Sequence, residues 1–149
     1  MGCDITSYVE HRNREGNWVP IQMQVRYGTW DGKNGYRDVY PVDIRNYQLF
    51  GILAGVRFCP ADPIVEPRGI PSDVSDYVRD KYEENEDDWH TPSWYSLYEL
   101  KLAVKDKDRY DEEERGLIQG VINAIEFMRD AAWVFVDDID VRMVFWFDN

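Results

Sequence analysis

Residues 139–149 read IDVRMVFWFDN, and this stretch decides the architecture. In an extended chain Ile139, Val141, Met143, Phe145 and Phe147 fall on one side, while Asp140, Arg142, Val144 and Trp146 fall on the other. Successive side chains of a strand point to opposite faces, so both faces of this segment are rich enough in apolar residues to need cover. The segment therefore predicts a strand inside a sheet, and its natural neighbour is the amino-terminal hairpin. There Ile5, Ser7 and Val9 alternate with Asp4, Thr6, Tyr8 and Glu10. Asn13 to Asn17 reads as a turn, and Trp18 to Tyr27 alternates again with Val19, Ile21, Met23 and Val25 inward. Pro20 has no amide hydrogen to give a ladder, which predicts an edge strand or a bulge. The expectation is an α+β fold in a single domain over 1–149. It has three or more antiparallel strands, with several helices packed on one face.

The helices are legible from periodicity and caps. Tyr47, Leu49, Phe50, Ile52, Leu53 and Ala54 cover more than half of a helical wheel, which predicts a largely buried helix. Asp43 is the expected cap at its start and Gly55 the left-handed residue at its end. Ser72 is the expected cap of a short helix, with Asp73 and Asp76 in its first turn. Ser96-Leu97-Tyr98-Glu99 forms a capping box opening a helix to about Val104. Asp111 to roughly Ala132 predicts the longest helix, with Leu117, Ile118, Val121, Ile122, Ile125 and Met128 as its apolar stripe. Gly28 to Tyr40 reads as a long glycine-rich loop carrying Trp30, Tyr36 and Tyr40. Pro60, Pro63, Pro67 and Pro71 predict an irregular wrap.

The 149 residues carry a net charge of −12, with 15% aromatic content. That charge speaks against direct nucleic-acid binding, which needs cationic groups along the phosphates. It suits a basic protein partner or mimicry of nucleic acid. Cys3 and Cys59 lack metal-type spacing and read as free thiols in a reducing cytoplasm. No apolar run approaches the length of a membrane span, and no signal peptide is expected before Cys3. The opening MGCDIT fits a loose acylation pattern, but a strand starting at once would bury the acceptor end.

Within this acidic chain, residues 44–68 hold Arg45, Arg57 and Arg68 against Asp62 and Glu66, a local balance of +1. Each arginine can pair with a nearby carboxylate, or the three can converge on an anion that suits the guanidinium fork. His90 lies between Trp89 and Trp94 and can be a ligand-facing acid or base, or a histidine satisfied by a backbone carbonyl. Asp137, Asp138 and Asp140 can be metal ligands, or simply a turn before a strand. The run from Glu83 to Asp88 reads as a solvated acidic loop. No phosphate loop, serine elbow or zinc motif is present.

Five segments carry a resemblance: the opening MGCDI-x-x-YVE, RNYQLFGILAGVR, PRGIPSDVS, HTPSW with its leucine-rich helix, and the closing VRMVFWFDN. Together they resemble a family of small uncharacterised proteins encoded by bacteriophages and prophages. That family usually has histidine where this chain has Thr6. The resemblance implies expression in the cytoplasm of a bacterial host and an accessory role such as countering host defence, with no activity attached. Two classes of function follow. One is a binding protein with a pocket of Asp4, Arg45, Arg57, Arg68, His90 and Trp94, holding a small anionic, nucleotide-like ligand. In its protein-directed form, the acidic surface blocks a basic host protein. The other class is a small hydrolase using His90 with Asp4 or the Asp137–Asp140 cluster. The binding protein calls for no cofactor and no resident metal, the hydrolase is metal- or His/Asp-dependent, and assembly is left open, a homo-oligomer included.

Overall fold

The computed structural model of the protein describes residues 2–57 and 62–149. Strands β1 (Ile5–Arg12), β2 (Trp18–Ile21), β3 (Gln24–Gly28), β4 (Asn34–Asp38), β5 (Trp89–Ser96) and β6 (Val141–Asp148) form two sheets. The main sheet has the order β2-β1-β6-β5 and every pairing is antiparallel. As the doubly apolar pattern requires, β6 is interior, and residues 141–147 are all buried. β2, which holds Pro20, is an edge strand. The first turn is closed by Asn13 N–H donating to the Asn17 carbonyl at 2.8 Å, with Gly16 at φ 84°.

Among the described residues four α-helices lie between β4 and β6: α1 (Tyr47–Ala54), α2 (Asp76–Glu83), α3 (Leu97–Val104) and α4 (Glu112–Ala131), with β5 between α2 and α3. Helices α1, α3 and α4 bury the face of the sheet carrying Val9, Met143, Phe145 and Phe147. The opposite face is also covered, which corrects the expectation of helices on one face only. There Val74 and Val78 of α2 and its lead-in pack on Val144 and Trp146, joined by Tyr8, Tyr77, Tyr82, Trp89 and Trp94. The large residues Val144 and Trp146 could not be left in water, so a second layer forms over them.

Other local expectations shift for identifiable reasons. α1 is capped by Asn46, whose side chain accepts from Leu49 N–H, and not by Asp43. The Ser7 hydroxyl donates to the Val42 carbonyl at 2.7 Å and accepts from Val42 N–H at 3.0 Å, holding the chain extended past Asp43. Likewise α2 is capped by Ser75 and not Ser72. Ser75 N–H donates to Glu10 Oε2 at 2.8 Å, which fixes where that helix can start. The α3 cap is the capping box expected, Ser96 with Glu99, and α4 starts at the expected place with a capping box of its own, Asp111 with Glu114. The strand expected from Trp18 to Tyr27 breaks at Gln22 and Met23, and residues 28–40 are not a loop. Gly28 to Asn34 closes a two-stranded hairpin of β3 and β4. Gly32 at φ 80° and the bond from Thr29 N–H to the Lys33 carbonyl form its tip. Trp89 to Ser96 is a strand with an irregularity between His90 and Ser93, where Pro92 cannot donate to a ladder.

Candidate functional site

The six residues singled out from the sequence fall into two groups. Asp4 and Arg45 make a bidentate pair, with Nε to Oδ1 at 2.8 Å and Nη2 to Oδ2 at 2.9 Å. The guanidinium holds the exposed Asp4 carboxyl below its ordinary value. Arg57 lies 5.7 Å from the centre of the Tyr47 ring and interacts with the Cys3 side chain. Burial pushes the Cys3 thiol up, and the contact with Arg57 works against that rise. Cys3 is a free buried thiol; Cys59 lies outside the described residues. His90 stacks on Phe147 with centroids 6.0 Å apart, and its Nδ1 meets the Thr91 hydroxyl at 2.9 Å, not a backbone carbonyl.

Arg68 and Trp94 form the second group. The Arg68 guanidinium sits 4.3 Å from the Trp94 ring centre, donates to the Trp94 carbonyl at 3.2 Å, and pairs with Glu99 through both terminal nitrogens. Asp4 lies beside Asp148 at one end of β6, where Asp148 N–H donates to the Asp4 carbonyl. Glu99 caps the helix that follows Ser96, opposite Arg142 at the other end of the strand. Six residues of strand separate these ends, roughly 20 Å at the usual rise. Arg45 and Arg68 are thus not brought to one anion; each is bound to its own carboxylate. Asp4 and His90 have different partners and make no acid–base pair with each other.

Around Arg68 the structure assembles a set of residues that the sequence reading did not join. Arg12 lies 4.9 Å from the Trp18 ring centre, Arg142 lies 3.8 Å from Trp18 and 5.7 Å from Trp94, and Arg68 follows at 4.3 Å. Guanidinium and indole groups therefore alternate across the sheet, an arrangement favoured by the ring quadrupole. They line a cleft of about 690 Å³. Its cations are compensated: Arg142 Nε donates to Glu10 Oε1 at 2.9 Å, its Nη1 to Asp73 Oδ1 at 2.9 Å, and Arg12 faces Asp140 at 3.6 Å. Arg142 Nη2 lies at ion-pair distance from Glu10, 2.8 Å, but without hydrogen-bond alignment. The signal was the register Arg12↔Trp18 and Glu10↔Arg142, which needs strand pairing to be read.

These pairs set a pH dependence. For Glu99 burial opposes ionisation, but Arg68 and the Ser96 backbone outweigh it and hold the carboxyl below its ordinary value of 4.5. Asp73 is held below 3.8 in the same way, burial being outweighed by Arg142. A depressed folded value means stability that is present above the unfolded value and lost as pH falls through the folded one. The melting temperature should fall progressively below about pH 4.5. Glu99→Gln should flatten that decline; a decline of unchanged steepness in the variant would contradict the assignment.

A second cavity, of about 440 Å³, lies between β1, the start of β5, the end of α2 and the segment after β4. Thr6, Tyr8, Tyr40, Lys81, Trp89 and Trp146 line it. Thr6 faces Trp146 across the β1–β6 ladder. The Tyr8 ring lies 5.8 Å from Tyr40 and 5.6 Å from Trp146, with Trp89 6.2 Å from Trp146. The indole Nε1 atoms of both Trp89 and Trp146 are buried without a hydrogen-bond partner. An indole N–H can only donate, and a buried donor left unmatched costs about 1–3 kcal/mol. Burial also pushes the Tyr8 phenol well above its ordinary value, so its O–H remains available as a donor. Lys81 lines the cavity 3.7 Å from Glu84, and Asp43 and Glu84 are also part of the lining. Among the described residues no cluster of three His, Cys, Asp or Glu is arranged to hold a metal ion. In the Asp137–Asp140 segment, Asp138 is engaged by Lys101 at 2.9 Å and Arg129 at 3.3 Å.

Comparison with known proteins adds no relative: no family model matches the chain, and no curated protein or solved structure matches it.

Proposed function

We propose that the protein is a binding protein, and that the cavity of Thr6, Tyr8, Tyr40, Lys81, Trp89 and Trp146 receives a small anionic ligand with a flat body. A nucleotide-like molecule has this shape. The reading rests on one observation above all: the side chains of Trp89 and Trp146 line the same cavity, and the indole N–H of each is buried without a partner. Both N–H groups are closed off from solvent in the free protein, and an acceptor oxygen of a ligand meets them as the rings shift on binding. The aromatic walls offer stacking surface for a ring, and Lys81, in a lining that also holds Asp43 and Glu84, is the group that meets the ligand's negative end. With the resemblance to small phage proteins, this supports an accessory role in the bacterial host, holding such a ligand away from a defence system.

A thermal-shift panel of nucleoside monophosphates, cyclic nucleotides and inorganic phosphate tests the proposal. At least one nucleotide should raise the melting temperature, with phosphate alone giving less. Trp89→Phe keeps the ring and removes the N–H, and should weaken that ligand about tenfold, the value of one charge-assisted hydrogen bond. If every nucleotide leaves the melting temperature unchanged, or Trp89→Phe binds as well as the native protein, the cavity is not the site.

A further inference from the structure

The segment after α4 turns ordinary burial preference inside out. Residues 133–140 alternate exposed and part-buried. The smaller Val134 and Val136 pack against the core, while the larger Trp133 and Phe135 are 79% and 85% exposed. Asp137 and Ile139 continue the outward row. Burying an aromatic side chain is worth more than burying valine, so free folding energy alone would favour the reverse arrangement. The presentation is also fixed. Trp133 N–H donates to the Asp130 carbonyl and Val134 N–H to the Arg129 carbonyl, both at 3.1 Å. Trp133 holds a φ of 56°, a costly conformation for a bulky residue, of the kind that clusters at binding surfaces. The inward residues Asp138 and Asp140 are tied to Lys101, Arg129 and Arg12, which pins the row from beneath. Trp133 and Phe135 meet edge to face at 6.3 Å, and Ile139 carries the row to the mouth of the Arg68–Trp94 cleft, beside Tyr98.

We infer that Trp133, Phe135, Asp137 and Ile139 form a docking surface for a basic protein segment, one presenting a lysine or arginine between apolar side chains. Charge chooses the occupant. The only ionisable group in the outward row is Asp137, which is exposed and has no ion-pair partner among the described residues. A cation between apolar side chains meets Asp137 while its neighbours cover Phe135 and Ile139, and it can stack on Trp133. The chain's charge of −12 steers such a partner inward and repels an acidic one, a second copy of this chain included.

The test titrates the full chain with a fluorescent synthetic peptide alternating valine and lysine, against the same peptide with glutamate for lysine, read by anisotropy. The lysine peptide should bind and the glutamate peptide should not. Trp133→Ser with Phe135→Ser should weaken binding on the order of tenfold or more. Asp137→Asn should weaken it severalfold, and Asp87→Asn in the distant acidic run should leave it unchanged. No binding of the lysine peptide would overturn the inference. So would equal loss with Asp87→Asn and Asp137→Asn, which would mean attraction to net charge alone. A native protein that sediments as a dimer, and becomes a monomer on Trp133→Ser with Phe135→Ser, would also overturn it, because the occupant would then be a second copy.

Discussion

Replacing Arg142 with alanine should destabilise the protein by about 3–5 kcal/mol, the cost of breaking a buried ion pair from one side. The Arg142 side chain is only 3% exposed, and it holds Glu10, which is wholly buried, together with Asp73. Without the guanidinium, Glu10 keeps Ser75 N–H as a partner but loses the cation that compensates its wholly buried side chain. Asp73 can turn outward, since its side chain is 60% exposed. Trp18 also loses the cation 3.8 Å from its ring. The attribution can be separated from simple loss of volume. Arg142→Met with Glu10→Gln removes both charges and keeps most of the packing, and should recover most of the lost stability in chemical denaturation. A double variant no more stable than Arg142→Ala would show that packing, and not the stranded carboxylate, sets the cost.

The second large effect belongs to Trp146. Its ring is fully buried and touches Tyr8, Tyr82 and Trp89 on the face away from the three-helix layer. Trp146→Ala should cost about 3–5 kcal/mol, since the neighbouring rings are anchored in separate elements and cannot close the void. Set against a total stability of about 5–15 kcal/mol for an ordinary domain, that loss leaves a marginal fold. Calorimetry reads it directly. A loss near 1 kcal/mol would mean that α2 collapses onto the sheet, and that the second layer is softer than its contacts imply.

Sheet membership was readable because β6 is apolar on both faces, and the α3 capping box marked that helix's start to the residue. Period-two reading put Thr6 and Tyr8 on one side of β1 and Trp146 on one side of β6. It could not say that these sides coincide, because register depends on the partner strand. The α1 and α2 caps moved for a related reason: Ser7 bonding Val42, and Glu10 bonding Ser75, are contacts 35 and 65 residues apart. The arginines were read by proximity in sequence, Arg45 with Arg57 and Arg68. The sheet instead gathers Arg12, Arg68 and Arg142, which lie far apart in the chain. Trp89 to Trp94 received no strand assignment, because Pro92 interrupts the pattern of a strand that tolerates an irregularity.

The two unpartnered indoles give the most direct test of the ligand site. In a ¹⁵N-labelled sample each of the six tryptophans contributes one Nε1–H resonance. On titration with the nucleotide that gives the largest thermal shift, the resonances of Trp89 and Trp146 should move downfield together as they gain an acceptor. Those of Trp30 and Trp133, exposed and remote from the cavity, should stay in place. A titration in which Trp89 and Trp146 do not move while the ligand demonstrably binds would contradict the account.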